Sequence, residues 1–309
     1  MLPGGLPALI AAAGDRTTWR FVEFFTATIR NPHTREAYAH AVGRLLAWCE
    51  GRGLCDLRAI TPVVVAAYIE QLPGSKPTIK QHLSAIRQCL DWLITGGVLE
   101  TNPAASVRGP TYVIRKGKTP VLDTGQTRAL LEAIDTESIT GLRDRALIGA
   151  MVYSFARVSA VIGMRVEDYY PNGKRWWFRL HEKGGKFHEV PAHHKAEAYM
   201  DAYLEAVGIA ADPKGPLFRT VDRERHLTNR RMHRNDAIRM IKRRGRGVHL
   251  PPGICCHTFR ATGITAYLAN GGTIEHAQAI PAHESPRTTK LYDRTSDAIT
   301  LDEIERILI

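Results

Sequence analysis

The sequence predicts a mainly helical chain with a small β-hairpin or sheet, an α+β protein whose N-terminal helical bundle precedes a larger mixed domain. Three observations carry this. Apolar residues recur near helical spacing through most of the first hundred positions and again from Leu130 to Met151. One stretch, Arg175 to Val190, is rich in β-formers on either side of a Gly pair. A basic, aperiodic Gly/Pro passage, Arg108 to Lys118, separates the two patterns and reads as a linker. At 309 residues the chain suits two domains better than one.

Taken in order, residues 1–16 read as a flexible arm. Trp19, Val22, Phe24, Phe25 and Ile29 mark a first helix from Thr17 to Ile29. Asn31-Pro32 is an N-cap with proline in the first turn, opening a long helix through Tyr38, Val42, Leu45, Leu46 and Cys49. Thr61-Pro62 opens a third helix to about Leu72, and Ser75 with Pro77 a fourth that stops at Gly96-Gly97. Short connections make residues 17–110 a four-helix bundle. The polar side of its last helix carries Lys80, Gln81, Ser84, Arg87 and Gln88, either a solvated face or one set against DNA.

Residues 111–120 form the expected linker and 121–309 the second domain. Asp123-Thr124-Gly125 caps a helix through Leu130, Leu131 and Ile134, and Leu142 to Phe155 forms another. The chain turns at Glu167-Asp168, and two strands then flank Glu182-Lys183-Gly184-Gly185. Pro191 stops the second strand, Ala192 to Val207 reads as a helix, and Pro216-Leu217-Phe218 as a short strand or turn. Asn229 to Arg246 holds eight Arg and Lys, among them Arg230, Arg231, Arg234 and Lys242, against Asp236 alone. As a helix this run can lie in or across a major groove, a reading we prefer to a merely solvated surface. The closing Leu301–Ile309 segment reads as an amphipathic tail helix.

Composition narrows the function classes. The net charge of +11 points to a polyanionic partner. The excess is uneven: residues 1–110 carry 11 basic against 8 acidic side chains, residues 111–309 carry 31 against 23. Five cysteines without a C-x-x-C pair argue against a disulfide framework or a zinc site. The first residues lack the basic start of a signal peptide, and no apolar run approaches the roughly 20 residues of a membrane span. A soluble, cytoplasmic protein without a membrane partner is expected.

The stretch from Ile254 to Arg294 gathers His257, Arg260, His283 and Tyr292. His257 and Arg260 are three apart and share a helix face. Ala282-His283-Glu284-Ser285-Pro286 reads as a turn, with Ser285 an N-cap and Pro286 the first residue of a short helix bearing Tyr292. Arginine, histidines and a helix N-terminus together favour a phosphate. The pattern H-x-x-R followed by A-H-x-S-x-x-T-T-x-x-Y, with Arg157 in Ser154-Phe155-Ala156-Arg157, resembles the tyrosine recombinase (phage integrase) family.

The resemblance implies a SAM-like core-binding domain, a mixed α/β catalytic domain, and strand transfer through a 3′-phosphotyrosyl link to Tyr292. It implies that Arg157 and Arg260 bind phosphate, that Lys183 is the general acid, and that His257 and His283 serve the tyrosine proton and the phosphate. Its partners would be double-stranded target sites, a homo-tetramer on synapsed DNA, and accessory recombination proteins. No cofactor or metal is implied. The chain departs from the family pattern at three places. Ala160 stands where many relatives carry an acid, Ala261 follows Arg260 where many have histidine, and Ile280-Pro281-Ala282 replaces the usual Leu-Leu-Gly. A catalytically silent DNA-binding protein and a type IB topoisomerase-like relaxing enzyme are the competing readings.

Overall fold

Three helices of the N-terminal region start on the side chains that sequence marks as caps. The structure, a computed structural model, describes residues 5–113, 117–182, 187–224, 226–282 and 289–291. It opens with α1 (Ala8–Ala12) and α2 (Asp15–Glu23), followed by α3 (Pro32–Glu50), α4 (Pro62–Gln71) and α5 (Lys76–Thr95). Asn31, Thr61 and Ser75 each accept a hydrogen bond from a first-turn N–H of α3, α4 and α5, and each of these helices has proline in its first turn. The side chain satisfies a donor that has no partner within the helix.

The arm expectation is corrected over residues 5–16. Leu9 and Ile10 on α1 are 2% and 1% exposed, and Leu9 N–H donates to Glu50 Oε1 at 2.9 Å. A five-residue helix has too little periodicity to read in isolation; burial of its two aliphatic side chains holds it. The single helix expected over Thr17–Ile29 is also corrected. After α2 the backbone widens into a π turn, Phe24–Thr28, which admits both Phe24 and Phe25 to the core. Their rings meet edge to face at 4.8 Å, and Phe25 meets Phe21 at 5.2 Å.

The chain divides into two compact units, Met1–Val113 and Ile114–Ile309. Each has its own apolar core. In the second unit a reciprocal Asp123–Gln126 capping box starts α6 (Thr124–Glu132). Next comes α7 (Ile139–Ser154), buried almost all round, with α8 (Val158–Gly163) after it. Then β1 (Tyr169–Asn172), β2 (Arg175–His181) and β3 (Phe187–Pro191) form an antiparallel sheet in that order. The expected hairpin is thus the β2–β3 pair, with β1 an unforeseen third strand.

Beyond α9 (His194–Val207), β4 (Arg219–Val221) and β5 (Leu227–Arg231) form a second hairpin ahead of α10 (Arg234–Gly247). A helix over the whole basic run is therefore corrected: Arg230 and Arg231 lie on a strand. His233 ends the extended stretch by capping α10 in a reciprocal box with Asp236. The described chain closes on α11 (Cys256–Ala269), α12 (Ile274–Ala279) and residues 280–282 and 289–291. Gly263 brings α11 onto the end of α7, where a Cβ would stand 2.1 Å from Val152 O. Among the described residues no helix is long and apolar enough to cross a membrane, and the five cysteines are unpaired.

Candidate active site

Arg157 is placed by the way α7 stops. Phe155 takes a left-handed conformation (φ 54°), which ends the helix and turns the chain into α8 with Arg157 as its N-cap residue. Glu182, the residue after β2, lies opposite. Its Oε1 accepts the Arg157 backbone N–H at 3.2 Å and its Oε2 accepts Arg157 Nη1 at 2.5 Å. Arg260 projects from the second turn of α11 and is 1% exposed. Its Nη1 donates to Phe155 O at 2.5 Å and lies 3.6 Å from Glu182 Oε1, while Nη2 donates to Pro281 O at 3.1 Å.

Two guanidiniums thus meet one carboxylate whose side chain is wholly buried, whereas the Arg157 side chain is 29% exposed. A buried carboxylate persists only when paired and hydrogen-bonded, and here Glu182 takes both roles. In sequence Glu182 stands only as part of the Glu182-Lys183-Gly184-Gly185 turn. The residue at position 160, by contrast, is a buried methyl that brings no acid to the cluster.

Two histidines share this field. His257, exposed on the first turn of α11, is held below the ordinary histidine range by desolvation, then by Arg260 and Arg157, with Glu182 opposing. It is accordingly neutral near pH 7 and free to accept a proton. His188 on β3 faces Ile280 O at 3.0 Å through Nε2. A carbonyl only accepts, so Nε2 carries the proton and Nδ1, buried without a partner among the described residues, is a bare lone pair. Burial also lowers the pKa of His188. Its role was not visible in sequence, because a lone histidine between Phe187 and Glu189 has no motif. Lys183, His283, Tyr292, the Ser285 cap with Pro286, and the tail helix lie outside the described residues.

The arrangement of two arginines and a neutral histidine about one corner suits an anion with several oxygens. The profile of the phage integrase family matches residues 120–298, and that of the phage integrase N-terminal SAM-like domain matches residues 20–97. The chain belongs to the phage integrase family. It is a tyrosine-type site-specific recombinase. Curated relatives include a tyrosine recombinase XerC of Mycobacterium sp. (strain KMS), 26% identical, covering 87% of this chain and 90% of the relative. Another, from Pelobacter propionicus, is 28% identical over 86% of each. Among solved structures, XerH bound to difH substrate aligns over 99% of this chain and 97% of its own with a TM-score of 0.69 at 13% identity. A lambda integrase tetramer bound to a Holliday junction aligns over 92% of this chain and 79% of its own, with a TM-score of 0.68 at 18% identity. These likenesses bear out the helical N-terminal domain and mixed catalytic fold.

The basic positions of the recombinase fall into two groups. Lys80, Arg230, Arg231, Arg234 and Lys242 are exposed. Arg234 also lies near enough to Cys256, the neighbour of His257, to pull on its thiol, which burial raises to about 11. Arg87, in contrast, donates to the carbonyls of Ala104 and Val107 and so braces its own domain. Arg243 and Arg244 both reach Asp144 Oδ2 on α7, at 3.2 Å and 2.9 Å, beside buried Arg143 on Oδ1. The counter-ion for this part of the basic run comes from about a hundred residues upstream in the chain. Asp222, Glu224 and His226 gather at the exposed β4–β5 turn, on other elements than the arginines.

Proposed function

We propose that this recombinase cleaves and rejoins duplex DNA at specific sites through a 3′-phosphotyrosyl intermediate on Tyr292. The observation that supports it most is the meeting of Arg157 and Arg260 on one buried carboxylate, beside neutral His257. Tyr292 Oη attacks a backbone phosphorus, the P–O5′ bond breaks, and the 5′-oxygen takes a proton from Lys183. A 5′-hydroxyl from the same or a partner duplex then attacks the phosphotyrosine, releasing Tyr292 and resealing the strand. Dividing the exchange between two steps conserves the bond energy in the covalent link.

The phosphorane-like transition state carries extra negative charge, which preorganised cations stabilise more than they do the ground state. Arg157 has N–H groups beyond the one given to Glu182 to meet phosphate oxygens, and buried Arg260 adds positive charge behind it. His257 receives or relays the tyrosine proton, and His283 donates to the phosphate. The exposed group on β5 and α10 (Arg230, Arg231, Arg234, Lys242), together with Lys80, holds the duplex, largely through phosphates. A homo-tetramer on synapsed sites is the working assembly, as the lambda integrase relative is a tetramer on a Holliday junction.

Nicked duplexes tiling the DNA that flanks the gene, which trap the cleaved state, test this. Wild-type protein is expected to form a covalent adduct surviving SDS with EDTA present, and Tyr292→Phe none. Binding without an adduct identifies a silent DNA-binding protein. Cleavage with relaxation of a single duplex, and no exchange between two, identifies a topoisomerase-like enzyme.

A further inference from the structure

The arginines do not stand in position on their own. Arg157 leaves the end of α7 with its backbone N–H and one guanidinium nitrogen both bound to Glu182, so the carboxylate fixes the direction of the side chain as well as its charge. The same Oε1 faces Arg260 Nη1 at 3.6 Å. Glu182 is therefore a shared abutment for side chains from two helices. In sequence it immediately precedes Lys183. On the other strand of the same hairpin, His188 reaches Ile280 O, and Arg260 takes the next carbonyl, Pro281 O. Both sides of the β2–β3 connection are thus tied to the groups around which the chemistry is proposed to occur.

We propose that Glu182 is the positioning residue of this active site: it sets the direction of Arg157 and its spacing from Arg260. It does not touch the reacting atoms. The inference rests on the assignment of Arg157 and Arg260 as the phosphate-binding pair. Its physical demand is for a negative charge, because a neutral group of the same shape cannot balance buried Arg260 together with half-buried Arg157. The required reach is also definite, since a carboxylate one methylene shorter cannot keep all three contacts.

The decisive set is Glu182→Gln, Glu182→Asp, Arg157→Lys and the double variant R157K/E182Q, each checked for cooperative unfolding. On the nicked duplexes described above, Glu182→Gln is expected to form adduct about 100-fold more slowly, the loss that follows a misplacement of about 1 Å. DNA affinity should be unchanged. Glu182→Asp should recover part of the rate, and the double variant should be no slower than Arg157→Lys alone, since both act on one guanidinium. Gln equal to or faster than Asp would make the role one of shape, or Glu182 a restraint on Arg157, and would overturn the proposal. Additive losses in the double variant would overturn it too.

A second measurement needs no DNA. In the free protein the Arg157 Nη1–H resonance, from the group that donates to Glu182 Oε2, should be slow to exchange in wild type and fast in Glu182→Gln, while equal exchange would sink the proposal. Protection lost in Glu182→Gln, with no wild-type adduct on any duplex, would retain the positioning role and discard the proposed reaction.

Discussion

Ala282 shows how one residue can carry a local cost at a site. It ends the turn that follows α12 with φ 49°, a left-handed conformation that L side chains adopt at a cost. The expectation that this turn departs from the usual Leu-Leu-Gly pattern bears on that position, since the backbone there has the conformation glycine favours. Ala282→Gly is therefore expected to stabilise the catalytic unit by about 1 kcal/mol, offset in part by the freedom glycine gains when unfolded. Urea unfolding followed by tryptophan fluorescence would show it as a higher midpoint at unchanged slope. Phe155, at φ 54°, pays a comparable cost, and there the return is visible in the carbonyl it turns towards Arg260.

At the scale of elements, the attachment of α10 to α7 rests on charge as much as on packing. Asp144 is fully buried and accepts from Arg143, Arg243 and Arg244. Removing the carboxylate leaves buried Arg143 and largely covered Arg244 unbalanced, which costs more than the group contributes against an apolar substitute. Asp144→Asn is thus expected to destabilise the unit by about 3 kcal/mol. Chemical denaturation would measure it, and a loss comparable to that of a surface pair would refute it. The same anchoring sorts the basic run into residues that hold the helix and residues left for a ligand. Arg239, exposed and paired with Asp236 at 3.5 Å on the surface, belongs with the second group.

Across the whole molecule, four histidines among the described residues are held below their ordinary range, chiefly by desolvation: His82, His188, His193 and His257. Above about pH 6.5 each is neutral in both folded and unfolded chains and stability is indifferent to it. As pH falls through about 6.5 the unfolded chain takes up protons first, so stability declines until the lower folded values are reached. Unfolding midpoints should agree at pH 8 and pH 7 and drop by pH 5, with His188→Gln blunting the drop in the catalytic unit. A flat profile over that window would contradict the desolvation assigned to these rings.

How far sequence sufficed depends on the range of the interaction involved. Three proline-assisted caps, the Asp123 cap, the β2–β3 hairpin and the H-x-x-R pair on one helix were legible, because each rests on neighbours within a few residues. Even β1 had a signal in Pro171-Asn172-Gly173-Lys174, where a two-residue turn with Gly173 at φ 62° closes the β1–β2 hairpin. Sequence by itself determined the family and the types of group available for the chemistry. Tertiary structure alone decided which charges are committed and which remain available. Glu182 meets Arg157 across 25 positions, Arg87 and Arg244 spend their donors on distant partners, and Leu9 with Ile10 turn an apparent arm into core. A charge in sequence is only a formal unit; its field and its freedom are set by the partners and the water that folding brings or removes.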